Sequence, residues 1–228
     1  MKHIIEYTLL EEQPENYHFP YGNSYLVEIG WNQDLIGRIK NNKFIRDPGT
    51  SVIKDIALCS SVMNVLEKLG ILFIDDEFFR QEIRKGEVRQ YLIQFHFYHW
   101  LYDSVACLDS IASLLNAKYH IRKPEQVKLD DSFVREIKII DEEIANLIEP
   151  ELVWIYKLRK EMRNLILHRE GRNITGGGNN EPCYTIDLLR MLDRNIPLNR
   201  VDVEEIIDRN MPRIEVLIKR TLEHLFPE

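Results

Sequence analysis

The chain has 228 residues, 44% hydrophobic and 29% charged, with 10 Gly and 9 Pro. That composition belongs to a folded protein and excludes disordered and collagen-like chains. Basic residues number 30 and acidic residues 37, for a net charge of −7, so a broad surface that grips nucleic acid through phosphates is excluded while a small cationic site is not.

In chain order, residues 1–46 read as an N-terminal extension. Ile4 to Leu9 suggest a short strand, Pro14, Pro20 and Gly22 interrupt the next stretch, and Tyr25, Leu26, Ile29, Leu35, Ile36 and Ile39 suggest a weak helix broken at Gly30 and Gly37. Met1-Lys2-His3-Ile4-Ile5-Glu6 meets a carboxylate too early for a signal-peptide core, and a cytoplasmic protein is expected.

Residues 47–228 read as one helical bundle domain. Asp47-Pro48 is an N-cap followed by proline at the first helical position. Val52, Ile56, Cys59, Val62, Met63, Leu66 and Leu69 then repeat at three- and four-residue steps up to Gly70, which predicts a stop. A shorter helix is predicted from Asp75 to Lys85, and a long one from about Glu87 to Tyr119, packed by Leu92, Phe95, Trp100, Val105, Leu108, Ile111 and Leu115. At ~1.5 Å per residue the long helix would kink or project beyond a small bundle. Further helices are predicted over 130–149, 151–170, 184–195 and 202–225, the last with a kink or a break at Pro212. Thr175 to Pro182, rich in Gly and Asn, is predicted to be a loop. The longest apolar runs, such as Ile71-Leu72-Phe73-Ile74, fall far short of the ~18–20 residues needed to cross a bilayer, so no membrane span is expected. The predicted fold class is all-α, an up-and-down helical bundle with a less regular N-terminal extension.

Several residue groups could carry chemistry. Cys59, Cys107 and Cys183 are odd in number and dispersed, which leaves neither a disulfide framework nor a cysteine-rich zinc site. Gly176-Gly177-Gly178 lacks the following Lys-Ser/Thr and preceding strand of a phosphate loop. Arg80, Arg84, Lys85 and Arg89 form a small basic patch of the kind that is usually a solvated face. His96, His99 and Asp103 lie at i, i+3 and i+7 of the long helix, a spacing suited to metal ligands. No Glu-x-x-His on another helix completes the set, so an aromatic stripe edged by histidines is the expected reading and no metal or cofactor is predicted.

The strongest group is Arg163-Asn164-Leu165-Ile166-Leu167-His168 near the end of the 151–170 helix. Asn164 and His168 are spaced i,i+4 on one face, with Arg163 about 100° to the side. An Arg can hold a phosphate and a His can pass protons near neutral pH. Cleavage of RNA needs little more, because the ribose 2′-hydroxyl is itself the nucleophile. With 17 Arg and 7 His in the chain, a bare Arg-x4-His pair arises by chance roughly half the time; the Asn directly after the Arg makes it about twenty-fold rarer. A polar face on a surface helix is the plain alternative.

This run, from Leu152 to Arg169, resembles the motif-bearing helix of the HEPN superfamily, and the segment from Tyr102 to Ile111 resembles its partner helix. The nearest likeness is to the Cthe-2314-like group of bacterial HEPN proteins. The resemblance implies a metal-independent endoribonuclease that dimerises so that two motifs face each other across a cleft. Arg163 would bind the scissile phosphate, His168 would transfer protons, Asn164 would orient the site and Asp103 would support it from the neighbouring helix. It also implies a toxin–antitoxin or defence setting, with an antitoxin or nucleotidyltransferase partner. Since some HEPN domains are inactive, a non-catalytic binding or dimerisation module is the alternative. A positive groove fed by Arg159, Arg163 and Arg169 of each copy is expected if RNA is the substrate.

Overall fold

The computed structural model describes residues 21–42, 53–84, 90–163, 175–176, 184–187 and 200–227. Its frame is a pair of long helices, α3 (Ile53–Arg84) and α4 (Gln90–Tyr119), which pack along their lengths. Val62, Val65, Leu66, Leu69, Leu72 and Phe79 of α3 are buried, as are Ile93, Phe97, Trp100, Leu101, Val105, Leu108 and Ile111 of α4. At the centre Phe97 stacks on Trp100, ring centroids 6.3 Å apart, and meets Phe79 at 6.4 Å. Burying side chains of this size contributes roughly 1.5–3 kcal/mol each.

The expected stop at Gly70 does not occur. Gly70 is buried within α3, and the helix runs on through the segment predicted as a separate one. A mid-helix glycine costs about 1 kcal/mol relative to alanine, which packing against α4 outweighs. The two long helices match in length, 32 and 30 residues, so α4 has a partner over its whole span. Residues Ala57–Arg84 are long and apolar enough to cross a membrane by length and composition, which the short apolar runs did not suggest. Its most apolar window is 39% buried in this fold, and Asp75 and Glu82 are among the buried residues of the stretch.

The predicted weak helix of the extension is two helices, α1 (Tyr21–Glu28) and α2 (Gln33–Asn41). Gly30 separates them at φ +73°, a conformation glycine adopts without penalty. Leu26, Trp31, Leu35, Ile36 and Ile39 join the same core as the long helices. Trp31 Nε1 donates to Glu215 Oε1 at 2.9 Å and Arg38 Nη1 to the Phe226 carbonyl at 2.9 Å, so these helices are tied to the last one. The strand expected near Ile4 and the Asp47-Pro48 cap lie outside the described residues.

The helix predicted over 130–149 is divided into α5 (Asp131–Ile140) and α6 (Glu142–Ile148). Asp130 caps α5, accepting from the Phe133 N–H at 2.9 Å, and Asp141 caps α6, accepting from Ile144 at 3.1 Å. Asp141 also accepts from the Tyr119 hydroxyl at 2.6 Å and lies 2.8 Å from His224 Nε2. A 3-10 turn at Glu149–Glu151 leads into α7 (Leu152–Lys157), which widens into a π-helical turn at Leu158–Arg163.

The last helix, α8 (Val203–Leu225), runs through Pro212 without interruption. Before it stands a small antiparallel sheet in the order β1-β2-β3, formed by Thr175–Gly176, Tyr184–Asp187 and Arg200–Asp202. Thr175 pairs with Thr185, and Ile186 with Val201. Two expectations change here: Thr175–Gly176 is a strand end rather than loop, and Tyr184–Asp187 is a strand rather than the start of a helix. Thr185 and Ile186 are β-branched, which favours a strand; Thr185 pairs on both sides and Ile186 with β3. With that exception the described structure is the helical bundle that the sequence predicts.

Candidate functional site

The polarity of the helices positions the Arg163 segment. Arg80, near the end of α3, reaches Asp208 near the start of α8 at 2.6 Å, while Asp141 joins Tyr119 at the end of α4 to His224 at the end of α8. Helices α4 and α8 are therefore parallel. Trp154 Nε1 donates to Asn210 Oδ1 at 2.6 Å, and Arg213 Nη2 to Glu151 Oε2 at 2.7 Å, so α7 runs against α8 and hence against α4. Arg159 anchors it there by bonding to Asp109 of α4 and donating to the Leu129 carbonyl at 3.3 Å. The turn that follows, Leu158–Arg163, also packs against α4.

Arg163 closes the π-helical turn. Such turns are rare and occur frequently at functional sites. The Arg163 side chain, and Asn164 and His168 entirely, lie outside the described residues.

The surface that the turn approaches is described in full. Phe95, Tyr98, Tyr102 and Asp109 fall on one stripe of α4, at three-, four- and seven-residue steps. Phe95 is 52% exposed and Tyr102 57%. With Tyr98 and His99 they line an open groove of about 390 Å³. The ring of His99 packs on Phe95, centroids 4.3 Å apart. This aromatic ledge begins about 10 Å along α4 from the Asp109 ion pair that holds α7 and continues toward the start of α4.

The three residues expected to share a metal-ligand face separate. His96 stacks on Phe78 at 5.7 Å and meets the edge of Phe95 at 5.4 Å, which makes it part of the aromatic surface. His99 and Asp103 instead converge with Asp75 of α3, one ligand atom from each lying within 4.8 Å of the others. Sequence reasoning missed Asp75, although Leu72, Asp75, Phe79 and Glu82 repeat at helical spacing and all four are buried. A carboxylate in an apolar register was the available signal.

Asp75 and Asp103 are 9% and 8% exposed. Burial, then the hydrogen bond to Asp103 and its charge, push the Asp75 carboxyl up to about 8. Adjacent buried carboxylates behave this way because both cannot ionise cheaply. The Asp103 expected to support Arg163 thus sits, among the described residues, with Asp75 and His99.

No family model, curated protein or solved structure matches this chain.

Arg159 corrects one expectation. Held by Asp109 and Leu129, it is a strut for α7 and not a free charge for a positive groove. Arg80 is likewise engaged, with Asp76 at 2.8 Å and Asp208 at 2.6 Å, while Arg84 of the same patch is exposed. Lys85 and Arg89 of that patch, Arg169, and the third cysteine, Cys183, lie outside the described residues. Cys107 is fully buried and its thiol is pushed up by burial, so it packs as a small hydrophobe.

Proposed function

We propose that this chain is a HEPN-type endoribonuclease that cleaves single-stranded RNA without a metal, through Arg163 and His168. In that chemistry the ribose 2′-hydroxyl gives its proton to water as its oxygen attacks the adjacent phosphorus, the bond to the 5′-oxygen breaks, and a 2′,3′-cyclic phosphate remains. Arg163 would balance charge on the non-bridging oxygens, and His168 would give a proton to the departing 5′-oxygen. Asn164 would orient the pair by hydrogen bonding.

The observation that carries the reading is the aromatic ledge of Phe95, Tyr98, His99 and Tyr102 on α4, the helix to which Arg159 of the motif helix is bonded. Proteins that bind single-stranded RNA stack unpaired bases on such rings, at roughly 1–3 kcal/mol per base. The Arg163-Asn164-x-x-x-His168 pattern adds the cleavage chemistry. The proposal extends to a cytoplasmic homodimer with two motifs across one cleft, paired with an antitoxin or nucleotidyltransferase.

Exposed rings at Phe95 and Tyr102 also favour a second reading, a non-catalytic module whose ledge binds a protein partner or a second copy. Incubation of purified protein with labelled single-stranded RNA in chelator separates the two. Cleavage to cyclic-phosphate ends that is lost in His168→Ala supports the enzyme; wild-type protein that leaves a varied RNA set intact supports the module.

A further inference from the structure

The carboxylates between the two longest helices form a site that the ribonuclease reading does not use. Asp75 Oδ2 is buried and has no hydrogen-bond partner among the described residues. Among those residues, the charge that acts on Asp75 is that of Asp103, another buried acid. Two carboxylates brought together away from water repel unless a proton or a cation lies between them. His99, one helical turn before Asp103, is exposed and supplies an imidazole to the same point. Their ligand atoms span up to 4.8 Å; a tetrahedral ion with bonds of about 2.1 Å needs them about 3.4 Å apart. Closing that difference falls to His99, the exposed member of the three.

We propose that Asp75, His99 and Asp103 bind one divalent transition-metal ion of the zinc class, between α3 and α4, with an open coordination position toward the groove of Phe95, Tyr98 and Tyr102. The donor set argues for that class. Two carboxylates and an imidazole suit zinc, whereas magnesium and calcium prefer sites made of oxygen alone. Three protein ligands also leave zinc a fourth position for water or for an anionic oxygen of a ligand in the groove. The ion would balance the carboxylates and staple α3 to α4, and exposed His99 would give it a way in. This binding is independent of the proposed cleavage, which is tested in chelator.

The test uses untagged, EDTA-stripped and dialysed full-length protein, titrated with zinc chloride by calorimetry and followed by thermal unfolding. One equivalent bound at micromolar affinity or tighter, with a rise in Tm, is expected. His99→Gln, at an exposed position that leaves the fold intact by circular dichroism, is expected to weaken binding at least tenfold and abolish the Tm rise. Asp75→Asn should do the same. No saturable binding by wild-type protein overturns the proposal, as does unchanged affinity in His99→Gln. Magnesium chloride binding as tightly as zinc chloride overturns the assignment of the ion.

Discussion

Asp141→Ala removes the carboxylate on which three distant segments converge. That carboxylate caps α6 through the Ile144 N–H, accepts from the Tyr119 hydroxyl at the end of α4, and pairs with His224 near the end of α8. Loss of an N-cap costs about 1 kcal/mol, and a part-buried hydroxyl left without its charged acceptor about 1.5 kcal/mol. The solvent-reached His224 pair adds about 0.5 kcal/mol at most. Because the three share one acceptor they are not strictly additive, and a total of about 2–3 kcal/mol is expected. Asp141→Asn keeps an oxygen for the cap but places an amide nitrogen where Oδ2 meets Tyr119 and His224, so the Tyr119 hydroxyl must turn from donor to acceptor and the cost should be about 1 kcal/mol. The two variants also differ in their dependence on pH. Burial pulls the Asp141 carboxyl upward, but hydrogen bonds from Tyr119, His224 and Ile144 outweigh it and hold the group below its usual range. A depressed acid stabilises the fold above its unfolded value of ~3.9 and loses that contribution as pH falls through the folded value. Wild type should therefore exceed Asp141→Asn at pH 7, and the gap should close toward pH 2–3. Urea titrations followed by circular dichroism at pH 7, 4 and 3 measure both quantities. A cost below ~0.5 kcal/mol for Asp141→Ala, a value typical of plain surface substitutions, or a gap to Asp141→Asn that ignores pH, would refute this account of the junction.

The same structure sets other outcomes. Phe97→Ala empties the centre of the α3–α4 interface, where Phe97 is fully buried, and should cost about 3–5 kcal/mol in chemical denaturation. Arg159→Ala frees α7 from Asp109 and the Leu129 carbonyl, so amide exchange should quicken over residues 152–163 while the α4 core stays protected. Under the proposed function, Tyr102→Ala should weaken single-stranded RNA binding by roughly 5- to 100-fold, read by fluorescence anisotropy, with unchanged far-ultraviolet circular dichroism. Gly30→Ala meets open space but must hold φ +73°, so thermal unfolding should reveal a loss of about 1 kcal/mol from backbone strain.

The helices were legible wherever apolar residues kept a regular step, because burial on one face is what forms them. The departures have particular causes. Gly70 reads as a terminator only for an isolated helix; packed against α4, it is carried through. Ile137, Ile140, Ile144 and Ile148 keep the helical period across Asp141, yet the chain breaks there, where Asp141 caps α6 through the Ile144 N–H and also meets Tyr119 and His224 from afar. No window of sequence contains those partners. Thr175–Gly176 and Tyr184–Asp187 become strands through pairing with each other and with Arg200–Asp202, again a matter of distant segments. At the candidate site, the i,i+4 relation of His99 and Asp103 was visible, while His96 was drawn into the rings of Phe78 and Phe95. Asp75 comes from another helix, so only its placement in an apolar register hinted at it.

The neighbouring positions of α3 and α4 in the chain bear on how this molecule assembles. Only residues 85–89 separate them, so their contacts begin beside a short connection and can propagate outward pair by pair. Little chain entropy is spent before cohesion begins, and topologies of this local kind reach the native state quickly. A nascent polypeptide that has emerged as far as Tyr119 already carries both faces of its largest apolar seam. Helix α8, which ties down α1, α2 and α7, follows both long helices in the chain.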